Sequence, residues 1–449
     1  MPAHPIDSIF FKDLYGSPEM RAVWDDLTLL QKWLDFEAGL ARAEAALGLI
    51  PAAAAAEITR VARAENIDTA AIKAGIDKTV HPLVSLIWQL TSLCEGEAGK
   101  YVHWGATTQD VMDTAIVLQI KDSYPIFERD LDGLIRALAD LARTHRKTLM
   151  AGRTHGQQAL PITFGFKAAV WLAEMARHRE RLAACKPRVL TGEFAGAAGT
   201  LASVAEHGIA INAKLMDELG LNVPIIAWHT ARDNIAEFAQ ILVMIAATLG
   251  KIAHEVIDLQ KTEVGEVEEP FEMGKVGSST MPHKRNPMLC ESILTLTRLT
   301  RRHAATAVDA MLHEHERDWS SFQMEWAYLP DLAVMTHGAM SLALRVLRGL
   351  IVYPDNMWRN LQATHGALLA ERVMLALGAH IGRQVAHDVV YEAAMAAFEQ
   401  RRPMAELLKA NPHVTAHLSP DQIDALLNPA EYTGLAAAFV DRVLAAVEA

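Results

Sequence analysis

An all-α fold is what this chain predicts. Three observations carry the prediction: long stretches with apolar residues at three- and four-residue steps, a wide proline-free interval, and thin evidence for strands. Runs of alternating Val, Ile and Thr are few, and aromatic residues make up only 6% of the chain. In chain order, Ala52 to Ala56 is a short alanine run that favours helix. Arg129 to Leu149 carries an apolar stripe in Leu131, Leu134, Ile135, Leu138 and Leu141, and Phe166 to Cys185 looks similar. No proline falls between Pro224 and Pro270, and Arg232 to Glu263 reads as one long helix. Its apolar positions run from Ile235, Phe238 and Ile241 through Ile245 and Leu249 to Ile252, Val256 and Leu259. Met288 to Leu312 has the same character. Helices this long pack side by side in a bundle. The spacing divides the chain into three helical domains: residues 1–101, a central long-helix domain over 102–352 that carries the polar loops, and a C-terminal domain over 353–449.

The chain has 449 residues, 51% hydrophobic and 21% charged, enough to bury a sizeable core. A net charge of −12 without any basic block argues against nucleic acid and anionic membrane as partners. Cys94, Cys185 and Cys290 are odd in number, widely spaced and form no C-x-x-C pair, which fits a reducing cytoplasm rather than a disulfide framework. Met1 to Phe11 lacks a charged-then-apolar signal pattern, and no uninterrupted apolar run reaches the roughly 18 residues of a membrane span. A cytoplasmic protein is expected.

Three polar loops interrupt the helical pattern. The first is His103–Trp104–Gly105–Ala106–Thr107–Thr108–Gln109–Asp110, the second Gly152–Arg153–Thr154–His155–Gly156–Gln157–Gln158. The third runs from Gly277–Ser278–Ser279–Thr280 through Met281–Pro282–His283–Lys284–Arg285 to Asn286–Pro287. Hydroxyls, amides and a lysine close together suit a bound carboxylate, which wants several donors and a cation. Thr107 to Asp110 is open to two readings, substrate binding and capping of the helix that follows. The Gly277–Asn286 stretch, between glycine and a rigid proline, reads as a mobile lid. His313 and His315 alternate with Glu314 and Glu316, a pattern that scatters side chains around a helix, so no metal site is expected there. Cys290 reads as a small buried hydrophobe.

Gly277–Ser278–Ser279–Thr280–Met281–Pro282–His283–Lys284–Arg285–Asn286 matches the signature G-S-S-x-M-P-x-K-x-N in full. With the other two loops in the right order, the chain resembles the aspartase/fumarase superfamily from about Leu14 to Val443. That resemblance implies a homotetramer built on a central bundle of long helices, each active site assembled from three subunits. It implies a small-molecule di- or tricarboxylate substrate and no cofactor.

Residue by residue, the resemblance makes Ser278 the base. A serine hydroxyl is a poor base at neutral pH, so its alkoxide needs nearby N–H groups and cations. Lys284 and Asn286 match positions that hold the substrate carboxylate. Thr154 matches a substrate-binding threonine, with Gln157 beside it, and His155 matches the general acid of amine-eliminating members. Glu291 matches the acidic residue that orients this histidine. Thr107, Thr108 and Gln109 match the substrate-binding positions of the first block, where many members carry asparagine in place of Gln109. His103 matches a histidine near the phosphate or leaving group.

Two branches are closest. Adenylosuccinate lyases are similar in Met281 to Pro287 and in the C-terminal domain. Carboxymuconate cycloisomerases are similar in His103 to Gln109, in Trp228–His229–Thr230 with Arg232–Asp233, and in His315–Glu316–Arg317 with Glu325–Trp326, which adds Arg317 to the substrate-binding set. Leu14, Phe322 and Trp326 stand where adenylosuccinate lyases carry phosphate contacts, which speaks against adenylosuccinate. His155 stands where the bacterial cycloisomerases lack a histidine. The expectation is therefore a lyase that removes a group from a succinate-like substrate, an N-substituted aspartate, with release of fumarate. A cycloisomerase and a catalytically silent structural relative remain the alternatives.

Overall fold

The computed structural model describes residues 4–271, 281 and 283–448. Among these residues are nineteen α-helices and only two short two-stranded sheets, the all-helical fold that the apolar spacing predicts. The chain forms two compact units. One takes Met1–Leu131, His178–Gly250 and Ser292–Ser341, the other Asp132–Arg177, Lys251–Glu291 and Leu342–Ala449.

After short helical turns, the first unit has α1 (Asp26–Ala46), started by the Asp25 carboxylate, which accepts the Leu27 N–H at 2.9 Å. Five longer helices each give this unit a segment: α2 (Thr108–Thr144), α3 (Phe164–Val189), α4 (Asp233–Gln260), α5 (Met288–Asp309) and α6 (Trp319–Arg348). The apolar stripe beginning at Arg129 proves to be only the later part of α2, which passes through Pro125. A proline there removes one backbone hydrogen bond. Fully buried Tyr124 and Phe127 flank it and hold the helix to its neighbours. Phe238 of α4 stacks on Tyr124 at 5.8 Å and meets the edge of Phe127 at 6.4 Å, while Phe127 meets His337 of α6 at 6.0 Å. Gln240 of α4 donates to the Ala304 carbonyl of α5 at 2.7 Å, and His178 of α3 lies 2.8 Å from the Thr248 hydroxyl of α4. Segments of all five long helices thus pack together here. Helix α4 is long and apolar enough to cross a membrane by composition, but 72% of its apolar window is buried within the protein.

The deepest polar feature of this unit is Arg232, just ahead of α4. Its side chain is 1% exposed and its guanidinium reaches two carboxylates that are fully buried. Nη1 and Nη2 donate to Asp113 of α2 at 2.7 and 2.9 Å, and Nε donates to Glu325 of α6 at 2.9 Å. The faces of Trp228 and Phe322 lie 4.7 and 5.9 Å from the guanidinium. Burial opposes the charge, but the two carboxylates hold Arg232 firmly protonated.

In the second unit, α7 (Ala370–Ile381) and α8 (Arg383–Gln400) fold back on each other across Gly382, whose φ of 82° suits glycine. Val373, Leu377, Val390, Met404 and Leu408 form their shared core. The unit also holds a feature the sequence hid inside its second polar loop. Strands β1 (Leu149–Thr154) and β2 (Gln157–Thr163) form an antiparallel hairpin with Thr154 opposite Gln157. A register shift between Gly152 and Arg153, and Pro161 within β2, break the alternation that would have revealed it.

Replacing Arg232 by methionine leaves two buried carboxylates without their cation. Arg232→Met is expected to lower folding stability by roughly 3–5 kcal/mol. Denaturant unfolding at fixed protein concentration measures this, and an unchanged midpoint would contradict it.

Candidate active site

In the first unit the polar loop ahead of α2 is built around Asp110. Its fully buried carboxylate accepts four donors: the backbone N–H groups of Thr107 (2.9 Å), Ala195 (3.0 Å) and Gly196 (3.0 Å), and the ring of His229, 2.8 Å away. The bond back to Thr107 is the reciprocal half of a helix cap, so the capping reading of Thr107 to Asp110 holds for this residue. It leaves both threonine hydroxyls half-exposed. The Thr108 hydroxyl lies 3.2 Å from His81 Nε2.

Gln109 points the other way and is 2% exposed. Its Nε2 donates to the His229 carbonyl at 2.8 Å and to Asp113 at 3.1 Å, while its Oε1 accepts from Arg317 Nε at 2.8 Å. His103, at a φ of 62°, places Nδ1 2.7 Å from Glu37, a carboxylate buried in α1. Burial opposes the imidazolium, but Glu37 and the more distant Asp110 outweigh it and raise the His103 pKa. Burial, assisted by the charge of His103, lowers that of His81. Two neighbouring histidines are therefore biased in opposite directions. Five expected residues meet here: His103, Thr107, Thr108, Gln109 and Arg317.

In the second unit Thr154, His155 and Gln157 form the tip of the β1–β2 hairpin. The two-residue turn His155–Gly156 has φ values of 52° and 77°, the geometry of a type I′ hairpin. The stem is anchored by Arg153, whose guanidinium donates to both oxygens of buried Glu266 at 2.9 and 2.6 Å. Asn360 donates to Glu266 at 2.9 Å, and Gln158 donates to the Asn360 carbonyl at 2.8 Å. Above these contacts the tip is exposed, and the His155 ring has no partner among the described residues.

Lys284 and Asn286 lie just ahead of α5, and Glu291 is in its first turn. Glu269 caps the helix by accepting the N–H groups of Leu289 and Cys290 at 3.0 and 3.1 Å. Arg285 donates to Glu268 at 3.0 Å and lies 4.1 Å over the Phe271 ring, and Tyr353 donates to the same carboxylate at 2.6 Å. Lys284, next in sequence, is exposed, and its ammonium has no partner among the described residues. Glu291 is exposed and makes no bond to His155 within the chain. Cys290 is fully buried. Ser278 lies outside the described residues.

The polar groups beneath the first loop were not singled out from sequence. Trp228, His229, Arg232 and Glu325 stood only as points of family likeness. Asp113, Glu193, Glu37 and His81 carried no local signal beyond being polar residues in or beside helical stretches. Glu193 accepts the Trp228 N–H at 2.7 Å through one oxygen, and its other oxygen is buried without a partner. Burial, reinforced by Asp113 and Asp110, pushes its pKa up to about 9.

Comparison with known proteins places the chain among lyases. A family described as Lyase matches residues 15–299, and one described as Adenylosuccinate lyase C-terminus matches residues 366–443. The N-acetyl-S-(2-succino)cysteine lyase of Dickeya dadantii is 45% identical over 444 residues, covering 99% of this chain and 98% of that protein. The 3-carboxy-cis,cis-muconate cycloisomerase of Pseudomonas aeruginosa is 43% identical, with 98% and 96% covered. The crystal structure of a fumarate lyase from Mesorhizobium sp. BNC1 matches with a TM-score of 0.90 at 42% identity, covering 96% of this chain and 98% of that one.

Glu193 gives a pH test of the buried network. Its folded pKa of about 9 lies above its ordinary value of 4.5. Its support for folding is therefore complete below the lower value and is lost as pH rises towards the upper one. Glu193→Gln removes this loss. Its stability relative to the parent should rise between about pH 5 and about pH 9, with a slope of up to about 1.4 kcal/mol per pH unit. Parallel stability–pH curves for the two proteins would show that Glu193 is ionised in the fold.

Proposed function

Since this chain belongs to the aspartase/fumarase superfamily of lyases, we propose that it removes a heteroatom-linked group from a succinate-like substrate by anti β-elimination and releases fumarate. Ser278 takes the Cβ proton, and the released electron pair forms the carbon–carbon double bond. The bond to the leaving heteroatom breaks, and His155, oriented by Glu291, protonates a leaving nitrogen. An N-substituted aspartate fits that acid. The Dickeya relative, named for a succinylated cysteine, supports a thioether on the same succinate frame. Lys284, Asn286, Thr154, Gln157 and the pair Thr107–Thr108 hold the carboxylates. Proton removal beside a carboxylate builds up a second negative charge, and losing one preorganised donor to such a charge costs about 2.7–4 kcal/mol. The reaction moves only protons and an electron pair within the substrate and needs no metal or organic cofactor.

The observation that carries this reading is His155. It stands exposed, with no partner among the described residues, on a hairpin whose stem is tied to buried Glu266. That is how an acid is presented to a ligand. The same residue weighs against a cycloisomerase, the reading favoured by the Pseudomonas relative. The proposal takes the protein as a cytoplasmic homotetramer of three-domain subunits, divided at 1–101, 102–352 and 353–449, with three subunits completing each site.

Fumarate release from a panel of N- and S-succinylated compounds, followed by ultraviolet absorbance, tests the reaction and separates it from a silent relative. Adenylosuccinate is expected to be a poor substrate. Phe322 is 1% exposed and packs against Trp326 at 5.0 Å, so aromatic packing fills positions where adenylosuccinate lyases grip phosphate. Efficient turnover of it would overturn that argument.

A complementation experiment tests the shared site. His155→Ala and Ser278→Ala are each expected to be nearly inactive as tetramers, by several orders of magnitude in turnover for the serine. Unfolded and refolded together at equal ratio, they should recover about a quarter of the parental activity if subunits mix independently and the two residues of one site come from different chains. Mixed tetramers, confirmed by mass spectrometry, that stay inactive would exclude that arrangement.

A further inference from the structure

Arg317 uses one edge of its guanidinium on the protein and leaves the other open. Nε donates to Gln109 Oε1 at 2.8 Å, and among the described residues the two terminal nitrogens have no partner. Exposed arginines are usually free to wander, but this one is bonded to an amide that is 2% exposed. The amide cannot turn round. Its nitrogen faces two acceptors, the His229 carbonyl and Asp113, so a reversed amide would set oxygen against both and its NH2 against the guanidinium. Asp113 is itself fixed by two bonds from Arg232. A shorter asparagine side chain would not span these partners, and a glutamate would pair with Arg317 but repel Asp113.

In the elimination scheme the two carboxylates of the succinyl frame already have their donors, whereas Arg317 has no assigned anion. A guanidinium with two free, parallel nitrogens matches the two oxygens of a carboxylate. We propose that Gln109 is a positioning residue that holds the open edge of Arg317 towards a carboxylate on the leaving group, making the preferred substrate a tricarboxylate. This inference rests on the β-elimination reading of the same site.

Two thioethers of succinate test it, one built on N-acetylcysteine and the other on N-acetylcysteamine, which lacks only the third carboxylate. The parent should prefer the first by roughly 10- to 100-fold in kcat/KM, mainly through KM, the range for a hydrogen-bonded charge. Arg317→Met, a change on an exposed loop, should erase the preference. Gln109→Met should weaken it, and should weaken it no further once Arg317 is methionine. Equal use of both thioethers by the parent would overturn the inference, as would a preference that survives Arg317→Met. So would a Gln109→Met effect that lowers turnover of both thioethers by the same factor in either background, the mark of a purely structural role. If neither thioether releases fumarate, the elimination reading fails for thioethers. Calorimetric binding of tricarballylate against glutarate, which differ by one carboxylate, then decides the present point. Preference for tricarballylate that depends on Arg317 and Gln109 supports it, and indifference overturns it.

Discussion

A guanidinium keeps its charge at any pH a protein meets, so burying Arg232 obliges the fold to bring negative charge to it. Asp113 comes from α2 and Glu325 from α6, 119 and 93 residues away in sequence. Neither carboxylate could be buried without the cation, and the cation could not be buried without both. The geometry that satisfies all three fixes where the start of α2, the approach to α4 and the start of α6 stand within their unit. Gln109, one helical turn before Asp113, inherits its orientation from that junction, and Arg317 inherits its orientation from Gln109. The polar network is thus a line of constraint running from the core to an exposed side chain.

The second unit reaches a similar end by other means. A helix cannot place a side chain at a sharp exposed tip, because its backbone turns steadily and its residues lie on the flank. A two-residue hairpin does so, provided both turn residues accept positive φ. Glycine at position 156 accepts it freely; histidine at 155 accepts it at some cost, met by the bidentate Arg153–Glu266 pair below. Within a mostly helical chain, this hairpin therefore carries the histidine proposed as the acid at its exposed tip.

The helical fold was legible because it rests on local periodicity: the apolar steps over Arg232 to Glu263 and Met288 to Leu312 fall on α4 and α5 with ends shifted by a few residues. Loop positions were legible from Gly, Pro and hydroxyl residues, and the family signature marked Lys284 and Asn286. The hairpin was not, because Gly152 and Pro161 disrupt its alternation. Nor was the buried network, since ion pairs between residues about a hundred positions apart leave no trace in spacing. Gln109 shows the limit most clearly. Its family position suggests a substrate contact, yet each hydrogen-bonding direction seen here serves the protein, a fact that depends on where His229 and Arg317 arrive in three dimensions.

One regularity links the three polar loops. At each, a residue tied to a buried polar group stands beside one whose terminal group has no partner among the described residues: Gln109 and Arg317, Arg153 and His155, Arg285 and Lys284. The tethered member of each pair sits on a buried carboxylate or amide, so the backbone under the open member is held while its charged or titratable end faces outwards. An open group on a mobile loop would have to be ordered each time an anion bound, and that entropy would be lost from binding. Here the tethered neighbours order part of that backbone when the chain folds. Dipoles and cations fixed in advance stabilise developing charge without reorganising as it appears, which is what proton abstraction next to a carboxylate demands.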